Sequence, residues 1–184
     1  MNSEQAIFEL NNFEYFDMAA WGKLYKKEMF ENINFPLGKL SEDYYIMYLL
    51  FDRAKKIIYH SEPLYFYLQR AGSISKEKNI NFDFIEAAYK QMIYVEKKYP
   101  NLKVCVRTAY ASANMTVYNI LLKNKAKRDK KVVKKMQEEV KNNFEYIINN
   151  KKCSWIKKVQ AYLFIKCIWA YNVTFKLFKI IKKV

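Results

Sequence analysis

The sequence predicts two parts of different fold class: an α/β segment with short strands at residues 1–78, and an all-helical extension at residues 79–184. Two observations support this prediction. Short segments rich in Ile and Tyr, a composition typical of β-strands, lie before residue 78. Beyond residue 81, long segments with helical periodicity follow one another. The chain has only three Gly and three Pro residues, so the protein is predicted to be mostly helical overall.

The composition restricts the class of protein. Of the 184 residues, 52% are hydrophobic and 17% are aromatic, which suffices for a buried core and excludes wholesale disorder. The net charge of +15 predicts anionic partners: phosphates, nucleic acid or acidic lipid. The three cysteines are widely spaced, which argues against a zinc site or a disulfide framework and predicts a reducing, cytoplasmic location. The N-terminal residues lack the basic and apolar regions of a signal peptide.

The first helix predicted by apolar spacing covers residues 23–32, "KLYKKEMFEN". Residues 1–20 show no clear period and predict no element. Gly22 permits a turn before the helix. Pro36 and Gly38 break the chain after it.

The segment "SEDYYIMYLLFDRA" predicts a helix that begins after Ser41 and ends near Lys55. Ser41 is a natural N-cap, because its side-chain oxygen can accept a hydrogen bond from a backbone N–H of the first turn. Glu42 and Asp43 lie in that turn, where acidic side chains interact favourably with the helix dipole. The two adjacent acids therefore have a simple structural interpretation, to which a catalytic pair is the alternative.

The segments "KKIIYH" (55–60) and "PLYFYLQ" (63–69) predict two short strands, and residues 70–79 predict a polar loop. His60, the only histidine, has no acidic residue or cysteine at ligand spacing, so no metal site is predicted there. The remaining elements are four predicted helices, at residues 82–98, 101–124, 128–149 and 153–184.

The C-terminal segment 151–184 contains nine lysines and no acidic residue. As one helix, it would place Lys158, Lys166 and Lys176 on one side, and apolar residues such as Val159 on the other. Its longest uncharged stretch is too short to span a membrane. The pattern favours a helix lying in the plane of an anionic membrane surface, with Trp155 and Trp169 suited to the interface. The alternative is a helix packed on its own domain with a solvated lysine face.

Four features in order resemble one family. They are "AAWGKLYKKEMF" (19–30), "FPLGKLSEDYY" (35–45), "PLYFYLQRAGSIS" (63–75) and the spacing between them. Together they resemble the C-terminal half of family 2 glycosyltransferases of the GT-A fold, of the kind that build bacterial surface polysaccharides. The resemblance covers residues 12–76. It implies a partial GT-A-like α/β segment and a sugar transfer from a nucleotide-sugar donor to a polysaccharide or lipid-linked acceptor.

The resemblance also implies a catalytic pair. Asp43 holds the position of the general base, which takes the proton from the acceptor hydroxyl as that oxygen attacks the anomeric carbon. Glu42 would support it. A base within hydrogen-bond reach of the hydroxyl is what such a transfer requires.

The remaining roles that the resemblance implies concern the substrates. Arg70, followed by Gly72 and Ser73, would lie near the donor diphosphate, where positive charge stabilises the leaving group. Trp21 and Lys23 would line the acceptor side. Simpler interpretations stay open: a solvated loop cation for Arg70, a turn cap for Ser73, a core residue for Trp21 and a surface residue for Lys23.

One departure from the family pattern changes the expected activity. A complete enzyme begins with a nucleotide-binding half that carries a D-x-D metal motif, and no D-x-D occurs in this chain. There is also no Gly-rich phosphate loop. The complete enzyme is expected to use a divalent metal, Mn²⁺ or Mg²⁺, whose ligand motif this chain lacks. We therefore expect a truncated or split enzyme, inactive alone, with a separately encoded N-terminal half as partner and a peripheral location on the inner face of the membrane.

Two alternatives belong to other classes of function. The first is a non-enzymatic, membrane-surface helical protein that retains the motifs as relics. The second is a basic module that binds nucleic acid, which the interleaved aromatics and lysines would suit. The absence of RNP-type signatures disfavours the second alternative.

Overall fold

The computed structural model describes residues 1–12, 14–68, 80–124 and 129–181, with the side chains of 178–181 left aside. These residues form eight α-helices and two short 3₁₀ helices, Lys27–Phe30 and Pro100–Leu102. The α-helices are α1 (Ser3–Asn12), α2 (Glu42–Arg53), α3 (Asp83–Lys98), α4 (Lys103–Lys123), α5 (Lys130–Asn142), α6 (Phe144–Asn149), α7 (Trp155–Lys166) and α8 (Ile168–Ile181).

The predicted α/β fold class is wrong, because the described residues contain no β-strand. Residues 55–60 and 63–68 are irregular, and Gln69 lies outside the described residues. Ile57 exchanges hydrogen bonds with Met1, through its N–H at 2.9 Å and its carbonyl at 2.7 Å, but no ladder extends from this pair. High β-propensity expresses itself only where a neighbouring strand supplies ladder hydrogen bonds and a packing face. Phe66, 93% exposed, has no such face.

The chain divides into two compact units, Met1–Leu102 and Lys103–Val184. The first contains α1, α2 and α3, and the second contains α4 to α8. The domain boundary that the sequence predicts near residue 78 stays a prediction.

The core of the first unit lies between α2 and its two neighbours, α1 and α3. Met47 and Leu50 of α2 are completely buried. From α1, Ile7 and Leu10 enter this core, although residues 1–20 had predicted no element. The buried amide of Gln91 in α3 donates a hydrogen bond to Asn11 Oδ1 in α1, and Asn11 Nδ2 donates to the carbonyl of Ile7, so a buried polar contact links the two helices.

Asp52, near the end of α2, links this helix to side chains in α3 and directly after it. Its carboxylate accepts hydrogen bonds from Tyr94 Oη at 2.7 Å, Tyr99 Oη at 2.6 Å and Lys98 Nζ at 2.6 Å. The Asp52 side chain is only 9% exposed. Burial by itself raises the pKa of this carboxyl, but the three hydrogen bonds outweigh it, and the pKa is lower than usual. Ionised Asp52 therefore stabilises the folded state.

We expect Asp52→Asn to destabilise the first unit by about 2 kcal/mol at pH 7, the size of a charge-assisted hydrogen bond. A carboxyl with a lowered pKa stabilises the fold above its unfolded pKa and loses that effect as the pH falls through its folded pKa. The difference between wild type and variant should therefore shrink below about pH 4. Urea unfolding at pH 7 and pH 3 measures it. Asp17→Asn, at a half-exposed ion pair, is the control, and an equal difference at both pH values would contradict the argument.

In the second unit, α4 packs against α5 and α6. Its core includes an aromatic cluster of Tyr118, Phe164 and Tyr171, whose ring centroids lie 5.0 to 5.9 Å apart. All three side chains are almost completely buried. Both phenols are satisfied, Tyr118 by Asn172 and Tyr171 by Asn119, each at 2.9 Å. Tilted and edge-to-face pairs of this kind add to the stability gained from burial.

Several helices differ in extent from their predictions. The predicted helix at 23–32 is reduced to the 3₁₀ turn Lys27–Phe30. The predicted helix at 128–149 is divided at Asn143. The predicted C-terminal helix is interrupted at Cys167, whose backbone N–H ends α7 by donating to the carbonyl of Leu163 at 2.8 Å. The helices at 82–98 and 101–124 agree with α3 and α4 to within two residues.

Candidate functional site

Acidic side chains of α3 accept hydrogen bonds from the residues just before α2. Lys39 Nζ donates to Asp83 at 3.0 Å and to Glu86 at 2.7 Å, and the N–H of Leu40 donates to the other Asp83 oxygen at 3.0 Å. Hydrogen bonding to Lys39 lowers the pKa of Glu86 to about 2. Gly38, at φ +70°, provides the turn that brings Lys39 to this position.

The sequence predicted that the Ser41 side chain caps α2. This prediction is wrong, because the side chain makes no capping hydrogen bond. Ser41 adopts a left-handed conformation with φ +56°, and its Oγ accepts a hydrogen bond from Asn81 Nδ2 at 2.7 Å. A non-glycine residue in this region costs about 1 kcal/mol or more and persists where its surroundings hold it. The first turn of α2, with Glu42 and Asp43, is thus fixed in place by a strained residue and its partners.

Asp43 points back to the loop at residues 17–25. Its Oδ2 accepts the N–H of Ala20 at 2.9 Å, while Glu42 lies on the exposed side of the turn. The structure therefore separates the two acids: one carboxylate is half-buried against a loop and the other faces solvent. The catalytic roles of both acids stay predictions. Of the two, Asp43 is the one whose side chain is oriented by a hydrogen bond from this loop.

The electrostatics of Asp43 suit a proton acceptor. Burial raises the pKa of its carboxyl, and the negative charges of Glu42 and Asp17 act in the same direction. The N–H of Ala20 and the charge of Lys23 oppose them, but the net pKa is higher than usual. A carboxylate with a raised pKa accepts a proton more readily, which is the property that general-base catalysis uses.

The side chain of Lys23 forms hydrogen bonds with other residues of the same loop. Its Nζ donates to Asp17 at 2.9 Å and to the carbonyl of Ala19 at 2.5 Å, and its side chain is only 16% exposed. It is therefore not a simple surface lysine. Tyr25 also belongs to this loop, since its hydroxyl donates to the carbonyl of Ala20 at 3.2 Å. Burial, followed by the charges of Asp43 and Asp17, raises the pKa of Tyr25.

Trp21 belongs to an aromatic platform with Tyr65 and Tyr67. The indole stacks on the two phenol rings, with centroid distances of 5.4 and 4.7 Å and interplanar angles of 20° and 16°. All three rings are exposed. Gly22, at φ +69°, turns the chain beside Tyr65. Trp21 directly follows Ala20, whose N–H donates to Asp43, so the loop at residues 17–25 contacts the carboxylate and contributes the indole of the platform.

Sequence reasoning missed Tyr65 and Tyr67. Their signal was the two-residue spacing in "PLYFYLQ", which places both rings on one side of an extended chain. The same spacing is typical of a β-strand, and it predicted a strand at residues 63–69. Asp17 was missed because a single acid in an irregular segment has no signal of its own.

The donor-side predictions are not addressed by this geometry. Arg70, Gly72 and Ser73 lie outside the described residues and stay predictions. Within the described part of the chain, no group of three His, Cys, Asp or Glu side chains is placed to hold a metal ion. The divalent metal expected for a complete enzyme stays a prediction.

The comparisons with known proteins give one similarity. Over 71 residues the chain is 39% identical to Glycosyltransferase GlyA of Streptococcus pneumoniae serotype 4, strain ATCC BAA-334 / TIGR4. The match covers 38% of this chain and 10% of that protein, so the chain spans about a tenth of the length of this curated relative. No family model matches, and neither does any solved structure. This partial similarity supports a glycosyltransferase-like function.

Proposed function

We propose that residues 12–76 are the acceptor-side part of a family 2-type glycosyltransferase. The observation that carries the proposal is the geometry around Asp43: a half-buried carboxylate with a raised pKa, oriented by Ala20 beside the exposed platform of Trp21. The partial similarity to a streptococcal glycosyltransferase is in keeping with this assignment.

In the proposed reaction, Asp43 removes the proton from an acceptor hydroxyl. The oxygen attacks the anomeric carbon of the donor sugar, a new C–O bond forms, and the bond to the nucleoside diphosphate breaks. The diphosphate leaves with the bonding electrons, and Arg70 would stabilise its charge. Burial is the main cause of the raised pKa of Asp43, and the negative charge of Glu42 adds to it because a neighbouring negative charge disfavours a second one.

The platform of Trp21, Tyr65 and Tyr67 is the proposed contact for the acceptor sugar. The C–H face of a pyranose ring is weakly apolar, so it packs on flat aromatic surfaces that remain open to solvent. Lys23 is occupied in holding the loop, and we therefore give it the role of positioning Trp21 rather than touching the substrate.

We further propose that the nucleotide-binding residues come from another polypeptide segment, either elsewhere in a longer chain or in a separate protein. Apolar side chains in the loops around the site support this. Leu24, Leu37 and Phe66 are almost completely exposed. Each of these side chains would be removed from unfavourable contact with water if another polypeptide covered it. By itself, the chain is then inactive.

The acceptor contact is tested with the purified chain and a panel of hexose, N-acetylhexosamine and uronic acid oligosaccharides. Saturation-transfer NMR should detect binding in the millimolar range, and Trp21→Ala should weaken it about tenfold, the loss expected from about 1.4 kcal/mol of ring contact. Trp155→Ala, at an exposed tryptophan of the other unit, is the matched control and should bind as the wild type does. If Trp21→Ala and Trp155→Ala bound the oligosaccharides equally well, the platform would not be the acceptor contact.

The donor side is tested by calorimetric titration of the same chain with UDP-, GDP- and dTDP-sugars in the presence of Mn²⁺. We expect no binding. Clear metal-dependent binding would show that the chain holds a complete donor site, and the proposal of a missing nucleotide-binding segment would be wrong.

A further inference from the structure

The two C-terminal helices each expose an apolar stripe. On α7 the stripe consists of Trp155, Val159 and Tyr162, at helical spacing, and Trp155 is 72% exposed. At 100° per residue these side chains fall within an arc of about 60°. The buried residues of α7, Ala161 and Phe164, lie on the opposite side. The stripe therefore lies largely outside the core of the second unit, although the ring centroid of Tyr162 is 6.4 Å from that of Phe144.

The second stripe repeats this arrangement on α8. It consists of Trp169, Val173 and Leu177, and Trp169 is 73% exposed. These residues fall within an arc of about 80°. Tyr171, which is buried in the aromatic cluster, lies on the other side of the helix. In both helices, therefore, one face packs inward and the other presents a tryptophan to solvent.

Lysines accompany the stripes, and acidic residues do not. Lys166 lies on the α7 stripe and Lys176 on the α8 stripe, both exposed. The whole segment 151–184 has nine lysines and no Asp or Glu. This corrects the predicted faces, since Val159 and Lys166 share a side of α7 instead of lying opposite each other. Apolar stripes whose own helices carry lysines and no acidic residue are complementary to an anionic surface with an apolar interior.

We infer that these stripes bind the surface of an anionic lipid bilayer. Tryptophan is favoured at the boundary between headgroups and acyl chains. Lysine beside it places its stem among apolar groups and its ammonium group at the lipid phosphates. Among the described residues, no helix is long and apolar enough to cross a membrane. The contact is therefore an in-plane one, of the kind made by amphipathic helices with a basic face.

The test uses the full chain and sedimentation with vesicles of phosphatidylcholine, either pure or with 30% phosphatidylglycerol. We expect at least tenfold tighter binding to the anionic vesicles, and weaker binding when salt is raised from 0.1 to 0.5 M. The indole emission should shift to shorter wavelength on binding. Equal binding to both vesicle types would overturn the inference.

Two double variants separate the contributions of the tryptophans and of the lysines. Trp155→Ala with Trp169→Ala should lower binding to anionic vesicles about tenfold, and Lys166→Gln with Lys176→Gln should reduce the preference for them. Ile93→Ala, at an exposed apolar residue of α3 in the other unit, is the matched control and should bind normally. Helical circular dichroism establishes that each variant is folded. Unchanged binding by the tryptophan variant, or tighter binding of the wild type to single-stranded RNA than to anionic vesicles, would also overturn the inference.

Discussion

Replacement of Asp43 with Asn is expected to reduce sugar transfer by about 10²- to 10⁴-fold, the usual contribution of a general base. The amide cannot take the proton of the acceptor hydroxyl. Its oxygen can still accept the N–H of Ala20, so the loop and the platform of Trp21 should keep their positions. The measurement is the initial rate of transfer with the nucleotide-binding region supplied, on the same chain or as a separate protein.

Glu42→Gln is the matched control for this variant. Glu42 is exposed and affects Asp43 only through its charge, so we expect a loss of less than about tenfold. The pH dependence gives a second readout. The base must be ionised, so the rate should rise with pH through the raised pKa of Asp43, and this limb should lie above the value of a free carboxyl, about 3.9. Retention of most of the activity by Asp43→Asn would exclude the assigned role.

Replacement of Phe164 with Ala is expected to destabilise the second unit by about 3–5 kcal/mol, the range for a buried aromatic residue. Phe164 is completely buried, and its ring centroid lies 5.0 Å from the ring centroids of Tyr118 and Tyr171. Its removal leaves a cavity that these two hydrogen-bonded phenols cannot easily fill. Urea unfolding followed by helical circular dichroism measures the loss.

Tyr162→Ala tests whether the effect depends on burial. Tyr162 is an aromatic residue of the same helix, but it is half-exposed, and we expect a loss of no more than about 1 kcal/mol. If both variants lost the same stability, the aromatic cluster would not be the core of this unit.

The sequence predicted the helices that have a strong local signal. Residues 83–98 form α3 as the apolar spacing and the stop near Pro100 indicated. The adjacent acids of α2 also marked its first turn. In these elements the apolar period and the acidic first turn lie within the element and the breaker lies next to it, so no distant contact was needed to recognise them.

Other elements depended on contacts that the local sequence does not contain. The first helix, α1, has no clear period, yet its Ile7 and Leu10 are buried against the rest of the first unit. The segments 55–60 and 63–68 have the composition of strands, but no neighbouring strand pairs with them among the described residues. A strand is stabilised by its partners, so its composition alone cannot decide whether it forms.

The candidate site shows the same division. The sequence by itself predicted site roles for Asp43 and Trp21, through motifs that resemble a glycosyltransferase. Only the tertiary structure brought Ala20 to Asp43 across 23 residues of chain and stacked Trp21 on Tyr65 and Tyr67. The physical reason is that a hydrogen bond or a ring contact between distant residues depends on how the whole chain packs, whereas helical periodicity and charge are properties of neighbouring residues.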